Sequence, residues 1–177
     1  FDGFKNIVAS SEDQSFDIQF SGADVDLVAP GDGDVDDETN FFGFASVNAN
    51  SAAGDVLNDQ MGSSSLETSG DNAGTLNGTI YSSFETINMG SGSDVATIAH
   101  DVGNINLQED ADAAHLNAGS SGQVGFGAGD DTANIEYEIN TQVDSLYLDG
   151  GSEFDTLNLN AFGLEDAALM AREGELG

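Results

Sequence analysis

Four aspartates, Asp94, Asp112, Asp131 and Asp155, recur at steps of 18, 19 and 24 residues. Each closes a short turn and is followed by alternating apolar residues. The four turns read Gly90-Ser-Gly92-Ser-Asp94, Glu109-Asp110-Ala-Asp112, Gly127-Ala-Gly129-Asp130-Asp131 and Gly151-Ser-Glu153-Phe-Asp155. Carboxylates can act as acids, bases or nucleophiles, or they can bind hard cations. Catalysis would need partners that this chain hardly supplies. A lyase or epimerase needs a base beside a charge-stabilising cation, yet the candidates are only His100, His115, Lys5 and Arg172. Both histidines fall at outward or strand-end positions, and the two basic residues lie near opposite ends of the chain. There is no cysteine, which removes thiol catalysis, disulfides and zinc–thiolate sites. No Ser-His-Asp order or nucleophile elbow occurs. A glycosidase dyad is compatible with so many carboxylates, but tryptophan, a common sugar platform, is absent. The expected role is not enzymatic.

Cation binding fits better. If the aspartate interval is a structural period, these side chains stack in a column about 5 Å apart. Carboxylates that close repel one another, and several would have to hold protons. Calcium relieves this, because it takes six to eight oxygens from aspartates and from carbonyls. Glycine turns permit positive φ and aim several carbonyls at one centre. Magnesium is the poorer fit, since it demands a tighter octahedron and gives up water reluctantly. Ca2+ is therefore the expected ion. A second acidic run, Gly31-Asp32-Gly33-Asp34-Val35-Asp36-Asp37-Glu38, reads either as a further calcium loop through Asp32, Asp34 and Asp36 or as a solvated loop. Asp13, Asp17, Asp55 and Asp71 read as turn or surface positions. Asp24 and Asp26 flank Val25 and face either a cation or water.

The elements that would position this column are short strands. Apolar pairs at i, i+2 form one series, Ile87/Met89, Ile105/Leu107, Val124/Phe126 and Leu146/Leu148. A second series is about ten residues out of phase: Ala96/Ile98, Ala114/Leu116, Ala133/Ile135 and Leu157/Leu159. Backward, Ile7, Val25, Val47 and Leu66 extend the first series, and Ile18, Leu57 and Leu76 the second. A longer repeat overlies them. Phe41-x-x-Phe44-x-x-Val47 and Tyr81-x-x-Phe84-x-x-Ile87 repeat Phe1-x-x-Phe4-x-x-Ile7 at an offset of 40 residues. The expected fold is all-β: a parallel β-solenoid of about eight turns with two short strands per turn. It spans residues 1–163, in 40-residue units starting near 1, 41 and 81. Residues 164–177, with Leu164, Ala168 and Ala171 at helical spacing, form a helical cap or tail. An antiparallel sandwich is the competing fold, and Asn77-Gly78 and Asp149-Gly150 are hairpin signals in its favour.

Charge restricts the partners. Of 177 residues, 33 are acidic and 2 basic, a net charge of −31. Such a chain does not release counterions from nucleic acid or dock on anionic lipid, and no apolar run is long enough to insert in a bilayer. Eleven phenylalanines and a single proline argue against disorder. The start at Phe1, with no leader, reads as a piece of a longer protein.

The turns resemble the calcium-binding nonapeptide (RTX) repeat, Gly-Gly-x-Gly-x-Asp-x-apolar-x. Gly90/Gly92/Asp94/Ala96, Gly127/Gly129/Asp131/Ala133 and Gly150/Gly151/Asp155/Leu157 match it. Met89 and Phe126 replace the first glycine in two copies, and Glu153 replaces the third glycine in another. The copies are not tandem at nine residues, and clear motif cover is confined to residues 90–159. With its Phe-x-x-(Ile/Val) blocks, the chain is similar to degenerate RTX regions of secreted bacterial surface proteins, of the S-layer or large-adhesin type. The resemblance implies type I secretion, folding on calcium outside the cell, and a structural or adhesive role. The expected function is a calcium-stabilised extracellular unit of a surface layer, matrix fibre or adhesin stalk that assembles with identical chains. The alternative is a calcium-dependent adhesin module binding a glycan or host ligand, with Tyr81, Tyr137 and Tyr147 as stacking candidates.

Overall fold

The structure, a computed structural model, describes residues 6–11, 13–117, 121–138 and 146–162. The expected cap over 164–177 and the first aromatic block, Phe1 to Phe4, lie outside the described residues. All regular elements among the described residues are strands.

The chain alternates between two nine-stranded sheets, and neither closes on itself. In chain order the strands are β1 (Asn6–Val8), β2 (Ser15–Asp17), β3 (Asp24–Ala29), β4 (Asp32–Val35), β5 (Thr39–Phe42) and β6 (Ser46–Asn48). Next come β7 (Val56–Asp59), β8 (Ser65–Gly70), β9 (Ala73–Leu76), β10 (Thr79–Ser82), β11 (Thr86–Asn88) and β12 (Val95–Ile98). The last six are β13 (Asn104–Asn106), β14 (Ala113–Asn117), β15 (Gly122–Gly125), β16 (Thr132–Glu138), β17 (Leu146–Asp149) and β18 (Thr156–Phe162). The first sheet is ordered β1-β5-β4-β3-β7-β11-β13-β15-β17 and the second β18-β16-β14-β12-β8-β9-β10-β6-β2.

From β11 onward each visit to a sheet is one strand, and like strands pair in parallel with their apolar residues in register. Ile87 lies beside Ile105, and Ile105 beside Val124. Ala96 is followed by Ala114 and Ala133 in the same way. Burial alternates along these strands, as a period of two requires of a half-buried strand. Val25, Leu57, Ile87, Ile105 and Val124 from one sheet join Leu66, Ala96, Ala114 and Leu116 from the other in one core cluster.

Before β11, two of the visits are antiparallel three-stranded meanders, β3-β4-β5 in the first sheet and β8-β9-β10 in the second. Their turns follow from local chemistry. Pro30-Gly31, with Gly31 at φ 75°, suits a type II turn, and Asn77-Gly78, at φ 51° and 88°, suits a type I′ hairpin. Each meander pairs a glycine with an aromatic residue across the strands, Gly33 with Phe41 and Gly74 with Tyr81. A Cβ on either glycine would press into the ring-bearing side chain and the backbone carbonyl behind it. Phe41 stacks on Phe16 at 4.8 Å and meets Phe44 edge-on. Phe41, Phe44 and Tyr81 are residues of the 40-residue repeat. Each repeat covers three sheet visits, an odd number, so equivalent strands such as β6 and β11 lie in opposite sheets.

The meanders also shift the phase expected near the N-terminus. Val47 and Leu66 belong to the second sheet and Leu57 to the first, the reverse of the sequence-based order. A meander spends three strands on one sheet, so counting about ten residues per crossing loses step there.

Candidate metal centre

The four aspartate-closed turns stack on one edge. Parallel bridges join Ser91 to Glu109, Glu109 to Ala128 and Ala128 to Ser152. The Ala128 amide donates to the Gln108 carbonyl at 2.7 Å, and the Ser152 amide to the Gly127 carbonyl at 2.9 Å. One row of equivalent positions holds Gly90, Gln108, Gly127 and Gly151. The next holds Gly92, Asp110, Gly129 and Glu153. Gln108, Asp110 and Glu153 adopt φ of 78°, 74° and 78°, the positive region that Gly92, Gly127, Gly129 and Gly151 in the same rows also occupy. Such residues each cost about 1–3 kcal/mol, so the stack dictates the turn even where the sequence departs from glycine. Gly127, Gly129 and Gly151 lie directly against carbonyls of the preceding turn, where any Cβ would collide.

The aspartates immediately precede the strands of the second sheet. Each reaches back to the preceding turn with one oxygen. Asp94 Oδ1 accepts the Ser64 amide at 2.7 Å, Asp112 Oδ1 the Asp94 amide at 2.8 Å, and Asp131 Oδ1 the Asp112 amide at 2.8 Å. Asp155 Oδ1 accepts the Asp131 amide at 3.3 Å and, at the end of the array, is exposed. The other oxygen is different. Asp94, Asp112 and Asp131 are 1%, 3% and 1% exposed, and the Oδ2 of each is buried without a hydrogen-bond partner. A buried carboxylate oxygen without a donor is expensive. Burial pushes the Asp94 carboxyl up to about 6; the Ser64 amide opposes this, while the charges of Asp59 and Asp110 add to it. Burial likewise raises Asp112 to about 7, against the donation from the Asp94 amide and with the charges of Asp94, Asp131 and Asp110. Asp131 is raised by the same cause. Of the remaining expected residues, Asp130 accepts the Phe154 amide at 3.2 Å.

A smaller carboxylate ladder lies where the chain enters the first sheet. Asp55 precedes β7 as Asp94 precedes β12. Its Oδ1 accepts the Ala23 amide at 2.8 Å, its Oδ2 is buried and unpaired, and Glu85 Oε2 accepts the Gly54 and Asp55 amides at 3.0 Å each. Asp55 is thus fully buried rather than a surface residue, because the carboxylate must meet strand-start amides inside the stack. The shared dipeptide, Asp55-Val56 and Asp94-Val95, carried that signal. Asp59, 3% exposed, had none.

The acidic run around β4 divides. Asp34 joins Asp26 and Asp37, with one carboxylate oxygen from each within 4.8 Å of the others. Its carboxyl is raised, chiefly by burial and then by the Asp26 charge. Each expected aspartate of the run also gives one oxygen to the backbone: Asp32 accepts the Gly43 amide at 2.6 Å, Asp34 the Asp37 amide at 3.2 Å and Asp36 the Asp24 amide at 3.0 Å. Asn58 donates to Asp24 at 2.5 Å and Asp26 at 2.9 Å.

His100 and His115 are both exposed, and His115 sits between Thr97 and Asn134 in the outward register. Tyr81 is 1% exposed and packs in the core, so it cannot stack on a sugar, whereas Tyr147 is 59% exposed. The Tyr137 side chain lies outside the described residues, as do Lys5 and Arg172. The column thus offers unpaired carboxylate oxygens, with turns above and below whose carbonyls lie against the glycines of the next turn. That donor set suits a hard cation. No known family, curated protein or solved structure matches the chain.

Proposed function

We propose that the chain is a calcium-stabilised β-solenoid segment serving as an extracellular structural unit of a bacterial surface layer, matrix fibre or adhesin stalk. The observation that carries this reading is the row of buried Oδ2 atoms on Asp94, Asp112 and Asp131 that have no donor. Calcium between successive turns would take these oxygens, together with carbonyls from the rows of Gly90, Gly92, Asp110, Gly127, Gly129, Gly151 and Glu153. It would also offset part of the −31 charge. Extracellular calcium modules bind at about 10⁻⁴–10⁻³ M, so such a segment stays labile in a low-calcium cytoplasm and locks after export. Metal binding then contributes directly to folding.

Assembly with identical chains is part of the proposal. Among the described residues the last strands of both sheets are edges, and Leu157, Leu159 and Tyr147 there are 46%, 45% and 59% exposed. An unpaired parallel edge is a template for another strand. The test is a calcium titration of chelator-stripped protein, followed by far-UV circular dichroism and sedimentation velocity, with magnesium as control. Calcium-specific gain of β signal and of mass supports the reading. Equal structure and mass in chelator and in millimolar calcium refute it.

A further inference from the structure

We infer that Asp59 is the carboxylate of a further divalent-cation site, in a cleft on the turn edge where the repeated motif supplies no aspartate. The inference rests on the calcium reading above and extends it to a residue outside the motif.

Strand register places Asp59 in an apolar column. It pairs with Leu27 on one side. On the other, Asn58 pairs with Asn88 and Asn88 with Asn106, which sets Asp59 abreast of Met89 and then Leu107. Leu27, Met89 and Leu107 are fully buried. A carboxylate is out of place in that column unless something uses it. Asp59 is 3% exposed; its Oδ1 accepts the Met61 amide at 2.9 Å and its Oδ2 is buried with no partner.

The turn that follows explains the need. Ser65 pairs with Val95, so Ser64 occupies the place that Asp94 holds one rung later. Ser64 directs its hydroxyl to the Gly62 carbonyl at 2.7 Å. This rung therefore lacks the aspartate that the next rung carries in Asp94, and the nearest carboxylate before it in the chain is Asp59, five residues earlier. A cleft of about 480 Å³ opens here, lined by Asp59, Met61, Asn88, Gly90 and Gln108 among others. Gly90 lies against the carbonyls of Met61 and Asp59, since a Cβ there would be 2.5 Å and 2.8 Å from their oxygens. The Gln108 amide nitrogen is spent on the Met89 carbonyl, and the Asn88 amide nitrogen on Asn58 at 2.7 Å. The Asn88 side-chain oxygen is in turn taken by Asn106 at 2.7 Å, so the oxygens left to a cation beside the Asp59 carboxylate are those of Gln108 and of the Asp59 and Met61 carbonyls. The Asp59 charge also bears on the Asp94 carboxyl, so a cation here would relieve two buried carboxylates together.

The test counts bound calcium on the full chain by equilibrium dialysis and atomic emission, for wild type, Asp59→Leu and Asp59→Asn. Leucine matches the neighbouring Leu27 and Leu107. The expected result is one ion fewer per chain for Asp59→Leu, with the remaining ions kept. In chelator, Asp59→Leu should melt higher than wild type and gain less from calcium. Should the leucine variant fail to fold, Asp59→Asn, which keeps the size, should weaken one site at least tenfold. An unchanged ion count and affinity in the variants overturns this inference while leaving the column intact. A wild type that binds no calcium overturns both.

Discussion

Replacing Asp112 by asparagine separates the two roles of its carboxylate. Asparagine keeps an oxygen for the Asp94 amide, now accepted at 2.8 Å, and puts an amide group where the unpaired Oδ2 lies. In chelator the wild-type carboxyl, pushed from 3.8 to about 7 chiefly by burial, must either hold a proton or bear an uncompensated charge. The sign follows from linkage. The folded state binds the proton more tightly than the unfolded chain, so folding is unpenalised below about pH 4. Stability is then lost as pH rises from about 4 to about 7, and the penalty is complete above that. The ceiling is about 4 kcal/mol; water screening at the turn edge reduces it to about 1–2 kcal/mol. Urea unfolding of the calcium-free protein should therefore show higher stability at pH 5 than at pH 8. Asp94, raised to about 6, acts in the same direction. Asp112→Asn should flatten this slope and be more stable than wild type at pH 8 in chelator. At 1 mM calcium the gap should close, and at 10 mM the order should reverse, because the variant has lost a charged ligand; a site with Kd near 10⁻⁴ M contributes about 1.4 kcal/mol at 1 mM calcium and about 2.7 kcal/mol at 10 mM. A calcium-free wild type whose stability does not fall between pH 5 and pH 8, together with an Asp112→Asn that is less stable in chelator, would refute the reasoning.

Gly127→Ala meets both a φ of 93° and the Gln108 carbonyl, so it should destabilise the chain by about 2–4 kcal/mol in urea unfolding. Gln108→Gly, in the same row, should relieve its φ of 78° and raise the urea midpoint, a gain of about 1 kcal/mol. Phe41→Ala removes a fully buried ring stacked on Phe16, at a cost of about 3–5 kcal/mol read by thermal melting. Gly78→Val places a β-branched residue at φ 88° in the β9–β10 hairpin and should lower the melting temperature, whereas Gly62→Ala, with open space beside it, should not.

The alternation Ile87/Met89, Ile105/Leu107 and Val124/Phe126 by itself determined a set of short strands with one buried face, while their parallel pairing in register came from the structure. A period of two with one apolar face leaves a strand only one side to bury. The near-equal steps of 18 and 19 residues between Asp94, Asp112 and Asp131 likewise pointed to their stacking, because equivalent positions of stacked turns coincide. Tertiary structure alone decided the rest. Pro30-Gly31 and Asn77-Gly78 announce turns but do not say which sheet the returning strand joins, so the two meanders and the swapped places of Val47, Leu57 and Leu66 were hidden. The run from Asp32 to Asp37 gives residue types but not directions. Only pairing in β3–β5 set Asp34 beside Asp26 and Asp37. Asp59 was the least legible. In sequence it is one more acidic residue in an acidic chain, and its isolation exists only because strands distant in sequence surround it with Leu27, Met89 and Leu107.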